Sequence, residues 1–84
     1  MFLAKVYVTL KSTVNDPQGR TIMGSLKSLG FQSVTEVRAG KYLEIWLQVA
    51  QRNQAEARIK EMCEKLLANP VIEEYLFELV EVSN

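Results

Sequence analysis

The sequence predicts an α+β domain of two layers, a split β-α-β arrangement (β-α-β-β-α-β) with two helices on one face of an antiparallel sheet. Segments in which apolar and polar residues alternate with period two open the chain and recur in its middle, and an extended segment apolar on both sides runs from 72 to 82. Two stretches of helical spacing lie between them, each with start and stop punctuation. The 84 residues, 48% of them hydrophobic, suffice for one core and not two, so residues 1–84 read as a single domain.

The first strand spans 2–10, with Phe2, Ala4, Val6, Val8 and Leu10 on one face and Leu3, Lys5, Tyr7 and Thr9 on the other. After a polar loop over 11–15, Asp16 is placed to cap a helix by accepting from free backbone N–H groups. Pro17 fits the first helical position, where no donor is missed. Ile22, Met23, Leu26 and Leu29 mark one helical face over about 17–29. Gly30 supplies a left-handed stop, and Gly24 weakens the interior.

Two extended segments around Ala39-Gly40 predict a tight hairpin in which Val37 pairs with Leu43. In the second of them Leu43, Ile45, Leu47 and Val49 form the core face, and Tyr42, Glu44, Trp46 and Gln48 the other. The second helix is capped by Asn53 with Glu56 three residues on. Its apolar stripe is Ala55, Ile59, Met62, Cys63, Leu66 and Leu67, and Asn69-Pro70 ends it. Glu56–Lys60 and Glu61–Lys65 are i,i+4 pairs in the favourable order, worth about 0.2–0.5 kcal/mol each. Residues 72–82 form the last strand.

Composition excludes several chemistries. The chain has no histidine, which removes imidazole acid–base catalysis, Ser-His and Cys-His nucleophiles and histidine metal sites. The single cysteine, Cys63, permits no internal disulfide and reads as a small buried hydrophobe on a helix. Ten basic and ten acidic residues balance, which argues against nucleic-acid binding by bulk charge. The apolar first segment alternates and carries Lys5, so it reads as a strand and not a signal peptide. No run approaches the ~20 apolar residues of a membrane span. A cytoplasmic domain is expected.

Charge is nevertheless polarised along the chain. Residues 1–42 hold six basic and two acidic groups, whereas residues 43–84 hold four basic and eight acidic ones. The two halves either neutralise each other on folding or present a two-ended surface suited to self-association.

In a two-layer fold the sheet face away from the helices is bare. Here it would carry Tyr7, Tyr42 and Trp46, and the last strand, with Tyr75 and Phe77, is apolar on both sides. Such surface marks an interface, so Tyr7, Trp46, Tyr75 and Phe77 are candidates for self-association through the sheet. Asp16-Pro17-Gln18-Gly19, with Arg20, could form an anion site at a helix start or an ordinary cap. Glu73-Glu74 reads as a solvated pair, not an acid–base dyad. Lys41 and Tyr42 could reach a partner or lie at a solvated tip.

RNA binding through sheet aromatics is weighed and set aside, because Glu44 lies between Tyr42 and Trp46 and the surrounding basic residues are missing. The alternative function from pattern alone is a small-molecule-sensing regulatory domain of the same fold.

The strings KVYVTLKSTVNDPQG (residues 5–19), SVTEVRAGKYLEI (33–45) and KEMCEKLLANPVIEEYLFELVEV (60–82) carry a more specific signal. In order and spacing they resemble the PurS family, the small subunit of formylglycinamidine ribonucleotide (FGAM) synthase. The resemblance implies a non-catalytic subunit of an ATP-dependent ligase of purine biosynthesis. That ligase converts formylglycinamide ribonucleotide, glutamine and ATP into FGAM, glutamate, ADP and phosphate. It implies a PurL-type large subunit, where ATP and magnesium are expected, and a PurQ-type glutaminase. This chain would hold the two together and help the ammonia path form; no cofactor is expected on it. A homodimer that can pair into a tetramer is also implied. Asp16 and Gln18 in the first string with Arg20 directly after it, and Arg38, Lys41 and Tyr42 in the second, become candidates for exposed contacts with the larger subunits.

Overall fold

The first strand, β1 (Phe2–Leu10), occupies the centre of a three-stranded antiparallel sheet of order β2-β1-β3, with β2 at Gly40–Leu47 and β3 at Glu73–Glu81. The computed structural model describes residues 1–83. Period-two alternation does what it predicts along β1. Phe2, Ala4, Val6 and Val8 are buried, and Leu3, Lys5 and Tyr7 are half-buried on the opposite face. The register aligns Val6 with Leu43 and Phe77, and Ala4 with Ile45 and Leu79. Core residues therefore stack in rows across all three strands on one face.

Two helices complete the chain. The first, α1 (Pro17–Ser28), is capped by Asp16 and stopped at Gly30, whose φ of 103° is left-handed. The second, α2 (Arg52–Met62), lays Ala55 and Ile59 on the core and continues as a π-turn over Cys63–Leu67 that buries Cys63. The Arg52 guanidinium sits 5.6 Å from the Phe2 ring centre and donates to Leu79 O at 3.1 Å, tying the start of α2 to the sheet. Both expected helical ion pairs form, Glu56–Lys60 at 3.6 Å and Glu61–Lys65 at 2.9 Å.

The α+β class, the antiparallel sheet and the helix positions follow the sequence reading. Four details do not. The extended segment before Gly40 is not a strand, so the described residues form three strands and the pairing of Val37 with Leu43 does not occur. Residues 37–39 are held at the start of α1 instead (below), and the outer edge of β2 is left without them.

α1 does not lie on the sheet beside α2. Only Gly19 of its residues is buried, and the helix makes almost no contact with the strands. The chain is consequently elongated, 50 × 29 × 14 Å, with a radius of gyration of 16.5 Å where a compact globule of this length has roughly 12 Å.

The second helix starts two residues earlier than expected. Gln51 is the N-cap, its N–H donating to Gln54 Oε1 at 3.3 Å, while Asn53 Oδ1 accepts from Gln54 N–H. Finally, Leu66 is 81% exposed and not part of the core stripe. The π-turn, closed by Ala68 N–H to Cys63 O at 3.0 Å, adds a residue per turn and rotates Leu66 outward, so that Ala68 enters the core in its place.

These placements predict an asymmetry between two residues of one apparent stripe. Ile59→Ala should cost about 2–5 kcal/mol in urea unfolding of the isolated chain, and Leu66→Ala no more than about 0.5 kcal/mol. Equal costs would contradict the π-turn.

Candidate functional site: an unspent assembly surface

Three surfaces remain unspent by the fold, and each is built from local rules. The first is the bare sheet face, which the register arranges in rows. Trp46, Leu3 and Val80 form an apolar row, Glu44, Lys5 and Glu78 a charged one, and Tyr42, Tyr7 and Leu76 an apolar and aromatic one. Tyr7 and Tyr42 meet with ring centres 5.1 Å apart. The Tyr42 hydroxyl donates to Glu44 Oε2 at 3.0 Å. Burial first, and then this neighbouring carboxylate, push the Tyr42 phenol up to about 12.

Tyr7, Tyr42 and Trp46 lie on this face as expected, so two of the four self-association candidates, Tyr7 and Trp46, are there. Tyr75 and Phe77 do not: they share parity with Val8 and Val6 and pack against the core cluster. Leu76 and Val80 take the bare face instead, with Leu76 63% exposed. A strand apolar on both sides cannot reveal its register by alternation, so the sequence left this parity open.

The second surface is α1 with its return segment. Ile22 and Leu29 are exposed and Met23 and Leu26 half-buried, although the helical spacing marks these four as one apolar face, and Phe31 in the return segment is exposed as well. The third is the apolar end beyond α2, where the exposed Leu66 lines a shallow depression with half-buried Met62 and Leu67. Glu61 and Lys65 flank this end, and the Lys65 ammonium holds the Glu61 carboxyl below its ordinary range.

The polar candidates cluster where α1 meets the sheet. Asp16 is only 3% exposed, so it is not the surface contact expected for it. Its Oδ1 accepts from Gly19 N–H at 2.9 Å and its Oδ2 from Ala39 N–H at 2.7 Å. These bonds hold the carboxyl below its ordinary value against the opposing effect of burial, and the Arg38 charge assists. Arg38 is exposed as expected, yet its Nη2 donates within the chain, to Lys11 O and Val14 O, both at 2.9 Å.

Gln18, Arg20 and Lys41 remain exposed. Arg20 reaches Asn15 Oδ1 at 3.3 Å. Gln18 and Lys41 line an open cleft of about 270 Å³ with Asp16, Gly40 and Glu73. Lys41 and Tyr42, adjacent on a strand, point to opposite faces.

Among the described residues these surfaces carry no assembled catalytic group. Cys63 is buried and unpaired, with burial pushing its thiol up and away from reactivity. Among the described residues no three metal-ligating side chains converge, and no helix is long and apolar enough to cross a membrane.

Comparison with known proteins matches this architecture over nearly its whole length. The family model described as PurS, phosphoribosylformylglycinamidine (FGAM) synthase, matches residues 3–81. Phosphoribosylformylglycinamidine synthase subunit PurS of Bacillus subtilis is 48% identical over 82 residues, which cover 98% of this chain and 96% of that one. The crystal structure of PurS from Methanocaldococcus jannaschii, one of the subunits of formylglycinamide ribonucleotide amidotransferase, superposes with a TM-score of 0.89 at 38% identity, covering 99% of this chain and 100% of that one. A chain in the structure of PurLQS from Thermotoga maritima gives 0.84 at 31% identity, covering 95% and 99%.

The Asp16 geometry sets a pH dependence. Its carboxyl titrates below the ordinary value of 3.8 when folded, so its contribution to stability is complete above that value and disappears as pH falls through the lowered one. Asp16→Asn should therefore be less stable than wild type at neutral pH, with the gap closing toward pH ~3 in urea unfolding. A gap of constant size would show that the charge is not what matters.

Proposed function

The chain belongs to the PurS family of FGAM synthase subunits, and on that premise we propose that it joins a PurL-type large subunit to a PurQ-type glutaminase. The observation that carries this reading is the match of residues 3–81 to the family together with the likeness to a chain within PurLQS. The chain is a subunit of a purine-biosynthetic ligase and contributes no catalytic group of its own. Its part is to bring the glutaminase and the synthetase into register so that ammonia passes from one to the other. The cytoplasm is where such an enzyme would work. The small-molecule-sensing alternative has no support from the family match.

Exposed Gln18, Arg20 and Lys41 around the α1 start serve contacts with the larger subunits, and Tyr42 at the end of the bare face extends that patch. The chain also self-associates. Uncovered apolar residues on the bare face and on α1 support this, as does the charge distribution: α1 has only basic charged residues, Arg20 and Lys27, whereas β3 has only acidic ones. Burying these surfaces supplies stability that so thin a monomer lacks.

Glutamine-dependent FGAM formation by purified large subunit and glutaminase should appear only when this chain is added. Full activity without it would reject the assembly role. Self-association has its own optical test, because Trp46 is 57% exposed in the monomer and would be covered in a sheet-to-sheet contact. Its emission should move to the red on dilution, and Trp46→Glu should raise the dimer dissociation constant at least about tenfold. An emission spectrum independent of concentration would place the contact elsewhere.

A further inference from the structure

α1 leaves the sheet as an arm, and its direction is decided entirely at its base. The helix has only Gly19 buried and almost no contact with the strands, so packing along its length does not orient it. Three ties converge at the base. Asp16 bridges its own helix, through Gly19 N–H, to Ala39 N–H at the point where the chain returns. Gly19 lies so close to Val37 O that a Cβ there would collide with that carbonyl and with Asp16 Oδ2. Arg38 donates to Lys11 O and Val14 O, locking the return segment to the loop that precedes the helix. That loop is itself bound to the sheet layer, for Lys11 N–H donates to Ile72 O at 2.9 Å and Lys11 Nζ to Pro70 O at 2.8 Å.

We propose that Asp16, Gly19 and Arg38 are positioning residues that hold α1 in the one direction competent for assembly, and that they do so without touching the partner subunits. The proposal rests on the reading above that α1 is an assembly surface. Its physical content is leverage. A helix of 12 residues is about 18 Å long, so a 10° swing at its base moves the tip by roughly 3 Å. That displacement is comparable to the ~4 Å reach of an apolar contact, enough to unseat Leu26 and Leu29 from any surface shaped to receive them. None of the three residues is replaceable by a near relative. Asparagine in place of Asp16 offers one acceptor oxygen to two N–H donors, alanine in place of Gly19 pushes the Val37 carbonyl away, and methionine in place of Arg38 donates nothing.

The kinetics of assembly separate positioning from contact. A loosened arm samples many directions, so only a fraction of molecules is competent; the association rate falls by that fraction while the assembled complex, once formed, dissociates as before. Loss of a direct contact instead speeds dissociation. Asp16→Asn, Gly19→Ala and Arg38→Met would each be measured in the full chain, by stopped-flow association and dissociation with the partner subunits, alongside hydrogen exchange of the β1 amides. The expected result is an association rate lowered about tenfold, an unchanged dissociation rate and β1 protection reduced by no more than the variant's own loss of stability in urea unfolding. An unchanged association rate, a loss confined to dissociation, or a parallel collapse of β1 protection would each overturn the assignment, the last by showing that the residues merely hold the fold.

Leu26→Asp, which leaves all three ties intact, provides the separate control. Faster dissociation in that variant supports α1 as a contact surface. Wild-type assembly by Leu26→Asp would remove that reading, a failure distinct from wild-type assembly by the base variants alone.

Discussion

The architecture turns on one carboxylate. Asp16 does two things that are usually divided between residues: it caps α1 through Gly19 N–H, and it grips Ala39 N–H, 23 positions further along the chain. The second bond sets where the polypeptide re-enters the sheet, because Gly40 begins β2 immediately afterwards. An ionised side chain that is 3% exposed is tolerable only because both oxygens accept from backbone donors and Arg38 stands nearby. The same grip holds residues 37–39 at the start of α1, and this is why the segment before Gly40 does not extend the sheet.

From that constraint follows a chain whose monomer is incompletely covered. With α1 projecting, a single helix and its π-turn screen one face of the sheet, and Leu43, Ile45, Tyr75 and Phe77 stay half-buried. The opposite face has no layer at all. A chain of this length has a small surplus of burial over conformational entropy, so surfaces left open in the monomer are where association contributes most. The absence of histidine and of a converging acid cluster among the described residues fits the same division of labour. The family match makes the chain a subunit of FGAM synthase, and the apolar area that it leaves exposed is where a covering partner would gain most by burial.

Much of this was legible beforehand, for reasons that can be named. β1 was readable because its alternation is strict and one face is fully buried. α1 was readable because Asp-Pro and Gly30 punctuate it, and the family because three long strings recur in order. The candidate site was legible only in part. Tyr7, Tyr42 and Trp46 lie on strands whose alternation is unambiguous, and they fall on the bare face as read. Asp16 has the look of a surface residue in sequence and is buried, and nothing local announces that its carboxylate will meet an amide 23 residues away, or that the exposed Arg38 guanidinium will meet the carbonyls of Lys11 and Val14.

By itself, then, the sequence determined the elements whose signals are local: the period of β1 and β2, the cap and stop of α1, the i,i+4 ion pairs of α2 and the exclusion of imidazole chemistry. Tertiary structure decided everything that depends on a partner chosen from elsewhere in the chain. It made residues 37–39 a clamp instead of a strand, turned Leu66 outward through a π-turn, put Tyr75 and Phe77 on the core side of a strand apolar on both faces, and left α1 standing clear of the sheet. The physical reason is common to all four. Periodicity specifies which side chains share a face, but which face is buried and which backbone donors are taken depends on competition among distant groups for the same few positions.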